Sequence, residues 1–189
     1  MTSASETTEF RRQMLAAMPG LRAFAIALSG RADRADDLLQ ETMMKAWANR
    51  DGFMAGTNMR AWLYTILRNE FYTLLRKRKR EVEDAEGEFA ARLAVMPEQH
   101  SKLDFGDMQT ALQKLAEDQR EALLLVTASD MSYEEAAKIC GVAVGTIKSR
   151  VNRARARLAE ILDAQSAHEF GSSAEFQAAV TAKTSPGGN

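Results

Sequence analysis

Residues 131–158 read MSYEEAAKICGVAVGTIKSRVNRARARL, and the rest of the chain is best understood outward from this stretch. Ser132 followed three residues later by Glu135 forms a capping box, in which each side chain satisfies the other's orphan backbone N–H, so a helix starts here. Ala136 and Ala137 are small enough for a second helix to cross closely. Gly141 can adopt the left-handed conformation that ends a helix and turns the chain. Val142 can then plug the angle between the two helices. Beyond the turn, Val144, Ile147, Val151, Ala154, Leu158 and Ile161 recur at helical spacing and form an inward stripe. The opposite side carries Lys148, Ser149, Asn152, Arg153 and Arg155, and from Val144 to Arg157 there are five basic residues and no acid. This is a helix-turn-helix pattern. A helix of this width enters the major groove, its front residues reach base edges and its cations reach phosphates. A solvated basic face is the plainer alternative. The capping box, the small pair and the glycine at this spacing favour DNA. Cys140 ends the packed helix and suits a small buried hydrophobe better than a redox sensor.

The surroundings are helical too. Apolar residues recur at a 3.6-residue period along most of the chain, and no convincing strand alternation is present. The pattern predicts helices over 9–18, stopped by Pro19-Gly20, and over 21–28, stopped by Ser29-Gly30. A third runs over 33–48. A fourth runs over 59–80 after a Gly56-Thr57-Asn58 turn, with Asn58 or Thr57 as its cap. Residues 81–104 are acidic, poorly periodic and interrupted by Gly87 and Pro97, which predicts a linker with one short helix near 89–95. Helices follow over 107–115, 117–128, 132–140 and 144–165. The tail, 166–189, ends in Ser, Pro and Gly and is expected to be mobile. The fold class is therefore all-α: two small helical domains, 8–80 and 105–165, joined by a flexible acidic linker.

The chain has 189 residues and a net charge of −1, which argues against nucleic acid until the charge is located. Residues 1–80 carry 14 basic and 8 acidic side chains, whereas 81–118 carry 3 and 10. Basic faces are thus separated by an acidic spacer. No apolar run is long enough to span a membrane, no secretory signal is visible, and a lone cysteine excludes an internal disulfide framework. A cytoplasmic location is expected. Two histidines and one cysteine are too few for a zinc site, and no local motif suggests a catalytic set, so neither enzyme activity nor a metal or other cofactor is expected.

Two further segments carry chemistry. Residues 58–80 combine Trp62, Tyr64, Phe71 and Tyr72 with seven basic groups and the single acid Glu70. Aromatics among cations suit single-stranded DNA, because unstacked bases need platforms and phosphates need cations. For Trp62 and Phe71, a core position is the stronger expectation. Residues 36–42, DDLLQET, set carboxylates beside an apolar ridge, which suits a protein partner with basic helices. Asp36 and Asp37 could instead complement a helix dipole.

Taken together, DDLLQETMMKAW (36–47), NMRAWLYTILRNEFYTLLRKRKR (58–80) and the 131–158 stretch occur in the order found in bacterial RNA polymerase sigma factors, and the chain resembles their short extracytoplasmic-function group. The resemblance implies that the first motif docks on the clamp helices of the polymerase β′ subunit, with Asp37, Leu38, Gln40, Glu41 and Trp47 at contacting positions. It implies that Asn58, Arg60, Arg68, Asn69 and Arg76 handle the −10 strand. It further implies that Thr146, Lys148, Ser149, Asn152 and Arg153 read the −35 element. FYTLLRKRKRE (71–81) is similar to the alphaproteobacterial general-stress subgroup, which implies stress-response genes as targets and an anti-sigma factor as a further partner. Core RNA polymerase and promoter DNA are the other partners implied.

Overall fold

The computed structural model describes residues 4–84 and 105–169, and among them there are seven α-helices and no strand. Helix α1 spans Ala4–Ser29, α2 Ala32–Ala48 and α3 Met59–Asp84, with a short 3-10 turn at Arg50–Gly52. Helices α4 (Phe105–Gln113), α5 (Glu117–Thr127), α6 (Tyr133–Cys140) and α7 (Val144–Glu169) form the second half.

The two helices expected before residue 30 are one, with Pro19 inside it. The stop signal at Pro19-Gly20 is overridden because Phe10, Met14, Ala17, Leu21, Phe24, Ala25 and Leu28 make one unbroken buried stripe. Proline costs a helix one internal hydrogen bond and a steric clash, roughly 3 kcal/mol. Burying each large apolar side chain contributes about 1.5–3 kcal/mol, so the stripe outweighs the break. Gly20 has its own use: a Cβ there would lie 3.3 Å from the Tyr64 hydroxyl oxygen. Helix α3 continues past the expected end at 80, and α7 past 165. The short helix expected near 89–95 and tail residues 170–189 lie outside the described residues.

In the first half, α1, α2 and α3 pack around Leu21, Phe24, Leu28, Leu38, Leu63, Tyr64 and Leu67. In the second, α5 and α7 sandwich Leu125, Ile147, Val151 and Ala154, with α6 closing over Ala136 and Ile139. The halves are in contact: α1 lies against α4 and α5, and α3 lies against α6.

Candidate nucleic-acid and polymerase interfaces

The turn in the second half is built as its residues dictate. The Ser132 hydroxyl accepts the Glu135 N–H at 3.1 Å, and Glu135 Oε2 accepts the Ser132 N–H at 2.9 Å. Hydrogen bonds from the Ser132 backbone and from Asn58 hold the Glu135 carboxyl below its ordinary range. Gly141 sits at φ 67°, ψ 36°, and the Val142 N–H reaches back to the Ala137 carbonyl at 3.1 Å. Ile147, Val151 and Ala154 are fully buried, so α7 is fixed in rotation about its axis. That rotation leaves Lys148, Asn152 and Arg153 exposed and Thr146 and Ser149 half-buried. Lys148 Nζ stands 5.9 Å from the Tyr133 ring centre, and Arg153 Nη2 donates to Ser149 Oγ at 3.2 Å. All five residues expected to read DNA therefore retain accessible surface. Replacing Ser132 with alanine removes one half of the capping box and should lower stability by about 1 kcal/mol. Thermal unfolding followed by circular dichroism measures this, and an unchanged midpoint would refute it.

Helix α2 presents a second surface. Asp37, Gln40, Glu41, Met44 and Trp47 are exposed along it, at separations of three, four and seven residues. Such spacing places side chains on one broad face. Asp36 leaves this face and pairs with α1: Arg22 Nε and Nη2 grip its two oxygens at 2.6 and 3.0 Å. The guanidinium holds the Asp36 carboxyl below its ordinary range. Trp47 is anchored on one side by Phe10, with ring centres 6.2 Å apart, and remains 39% exposed. Leu38 is a correction. It was expected on the contact surface, but it is only 2% exposed and packs into the first-half core, so it holds the helix and cannot touch a partner. Met44, 60% exposed, occupies the position on the face that the expectation gave to Leu38.

Helix α3 carries the third set. Asn58 Oδ1 accepts the Ala61 N–H at 3.1 Å and so caps the helix, as expected. Asn58, Asn69 and Arg76 are separated by 11 and 7 residues, about three and two turns, and fall along one line. Asn69 and Arg76 face solvent. The other three meet the second half. Asn58 Nδ2 donates to Glu135 Oε1 at 2.6 Å, and Arg60 Nη2 donates to the Ser129 carbonyl at 2.7 Å. Arg68 Nε lies 2.8 Å from Glu121 Oε1, off the direction needed for a hydrogen bond, so this contact is coulombic. The aromatics are mostly internal: Tyr64 and Phe71 are buried, and Trp62 packs on Phe10 and Phe53.

Glu121 escaped the sequence reading. Its side chain is fully buried, with the Tyr72 hydroxyl donating to Oε2 at 3.2 Å. Burial pushes its carboxyl upward, against the opposing pull of Arg68 and Tyr72. The signal was available as a carboxylate opening the apolar run EALLLV (121–126). Cys140 is buried beside it, and burial pushes its thiol up to about 12, which keeps the sulfur protonated and unreactive.

Comparison with known proteins fits this geometry. Residues 15–81 match Sigma-70 region 2, and residues 105–158 match Sigma-70, region 4. Over 165 residues the chain is 59% identical to the ECF RNA polymerase sigma factor EcfG of Rhodopseudomonas palustris, covering 87% of this chain and 91% of that one. The chain belongs to the extracytoplasmic-function sigma factors. A co-crystal structure of the sigma factor RpoE with the anti-sigma factor NepR from Bartonella quintana is similar to it at 55% identity and a TM-score of 0.73. That likeness covers 82% of this chain and 97% of RpoE. CnrH in complex with the cytosolic domain of CnrY is similar at 26% identity and a TM-score of 0.62, covering 84% and 90%. In this sigma factor, α1–α3 correspond to region 2 and α4–α7 to region 4. Among its described residues no helix is long and apolar enough to cross a membrane.

Proposed function

We propose that this sigma factor directs bacterial RNA polymerase to promoters through three surfaces with separate tasks. The face of α2 formed by Asp37, Gln40, Glu41 and Trp47 docks on the clamp helices of the β′ subunit. Asn58, Arg60, Arg68, Asn69 and Arg76 take the −10 strand. Thr146, Lys148, Ser149, Asn152 and Arg153 read the −35 duplex. Residues 8–80 and 105–165 serve as the two modules, with 81–104 as the connection between them. The observation that carries the reading is the acid-free basic face of α7, held outward by its buried Ile147–Val151–Ala154 stripe.

The physical logic is one of effective concentration. Each basic face alone binds DNA weakly and mainly through phosphates, an attraction that falls steeply with salt. Polymerase holds the two modules apart at a fixed distance, so the second contact becomes intramolecular and gains by orders of magnitude. Phosphate contacts set the register and base contacts select the promoter. The work is binding throughout and calls for no catalytic group. By analogy with RpoE and CnrH, each crystallised with an anti-sigma protein, an anti-sigma factor controls this chain as well, and its targets are stress-response genes. The test is to add the purified chain to core polymerase with a library of genomic promoters. Specific run-off transcripts should appear that core polymerase alone does not make. Their absence, with the chain folded, would refute the proposal.

A further inference from the structure

Three of the five residues assigned to the −10 strand point their donors at the protein's own second half. Asn58 gives its amide to the Glu135 carboxylate, Arg60 its guanidinium to the Ser129 carbonyl, and Arg68 its charge to Glu121. A carbonyl and two carboxylates are the acceptors that base edges and phosphates would otherwise supply. We propose that this packing is an intramolecular latch, in which α5, α6 and the loop between them stand in for promoter DNA and mask region 2 until the two halves part.

A second seam supports the same closure. The C-terminal carbonyls of α1 have no partner within the helix. Gln113 Nε2 donates to the Ala27 carbonyl at 2.8 Å, and Gln109 Nε2 to the Gly30 carbonyl at 3.0 Å. Gly30 has φ 75°, and a Cβ there would stand 2.8 Å from Gln113 Cδ, so glycine permits the approach. Gln113 Oε1 in turn accepts from Arg120 Nη1 at 2.5 Å, linking this seam into α5.

The junction is also made to open. Its direct bonds are polar, and water can replace them when the halves separate, so closure has only a modest net advantage. Three buried side-chain atoms among the described residues have no hydrogen-bond partner, namely Arg68 Nε, Arg120 Nε and Glu121 Oε1. All three lie on residues of these two seams. Unsatisfied buried polar atoms are rare in native structures, and here hydration on opening relieves them. The latch therefore favours the closed form without committing the chain to it, and a polymerase surface that binds the separated halves can pull it open.

The masking of DNA rests on the −10 assignment proposed above, whereas the latch itself does not. The experiment uses the full chain carrying fluorescent labels at Arg11→Cys and Arg157→Cys, with energy transfer reporting the separation of the halves. Gly30→Ala wedges one seam. Tyr72→Phe strips a donor from buried Glu121 at the other. Each should raise the open-to-closed ratio about tenfold, the scale of one buried acceptor left unpaired. Each should also tighten binding of a labelled mixed-sequence single-stranded oligonucleotide by a similar factor, with helix content unchanged. Energy transfer that neither substitution alters, or a parent chain already as open as the variants, overturns the latch. Opening without a gain in oligonucleotide binding overturns the masking. Failure of the −10 assignment reads out separately, as undiminished initiation with core polymerase by a chain carrying Arg60→Ala and Arg68→Ala.

Discussion

A chain carrying Lys148→Ala and Arg153→Ala initiates from −35-dependent promoters at least about a hundredfold less than the parent, while its binding to core polymerase is unchanged. Each lost base-edge or phosphate contact costs about 1–3 kcal/mol, and two together reach that loss. The two side chains are exposed on α7 and touch only Tyr133 and Ser149, so the fold should survive their removal. The buried stripe of Ile147, Val151 and Ala154 that orients the helix is left intact. A second readout separates loss of cation contacts from general damage. Holoenzyme affinity plotted against salt on a logarithmic scale should lose roughly two units of slope, one for each phosphate contact removed. Normal promoter-specific run-off transcription by the double variant would mean that α7 does not read the −35 element.

Charge reversal on α2, Asp37→Lys with Glu41→Lys, weakens binding to core polymerase by about a hundredfold. Both carboxylates are exposed, and within the chain Glu41 pairs only with Lys45, at 3.5 Å. The helix is held by Leu38, Leu39 and Ala46 from beneath, and the new like-charge neighbour of Lys45 costs only a few tenths of a kcal/mol. At an interface with basic helices, by contrast, juxtaposed like charges cost several kcal/mol. Fluorescence anisotropy of labelled chain titrated with core polymerase measures the change, and the loss should shrink as salt rises. An unchanged affinity would assign polymerase docking to another face.

Much of the molecule could be read from residues alone wherever local chemistry had no competitor. The Ser132–Glu135 box, Gly141 and the apolar stripe of α7 each act within a few residues, and each stands in the structure as the sequence implied. Asn58 caps α3 for the same reason. The readings that failed involved long-range packing. Pro19-Gly20 is a strong stop signal, yet α1 runs through it because a continuous stripe meets α2 and α3. Leu38 looked like part of a ridge because DDLLQET does not show which of its apolar residues turns inward.

Helix content, the turn at Gly141 and the basic outward face of α7 follow from the order of the amino acids, since caps, glycine conformation and 3.6-residue periodicity operate over short distances. The pairing of Glu121 with Arg68 and Tyr72, and of Glu135 with Asn58, joins residues 49 to 77 positions apart. Only the packing of the two halves brings them together, because a contact across that much intervening chain depends on how whole helices fit and leaves no periodic trace in the sequence.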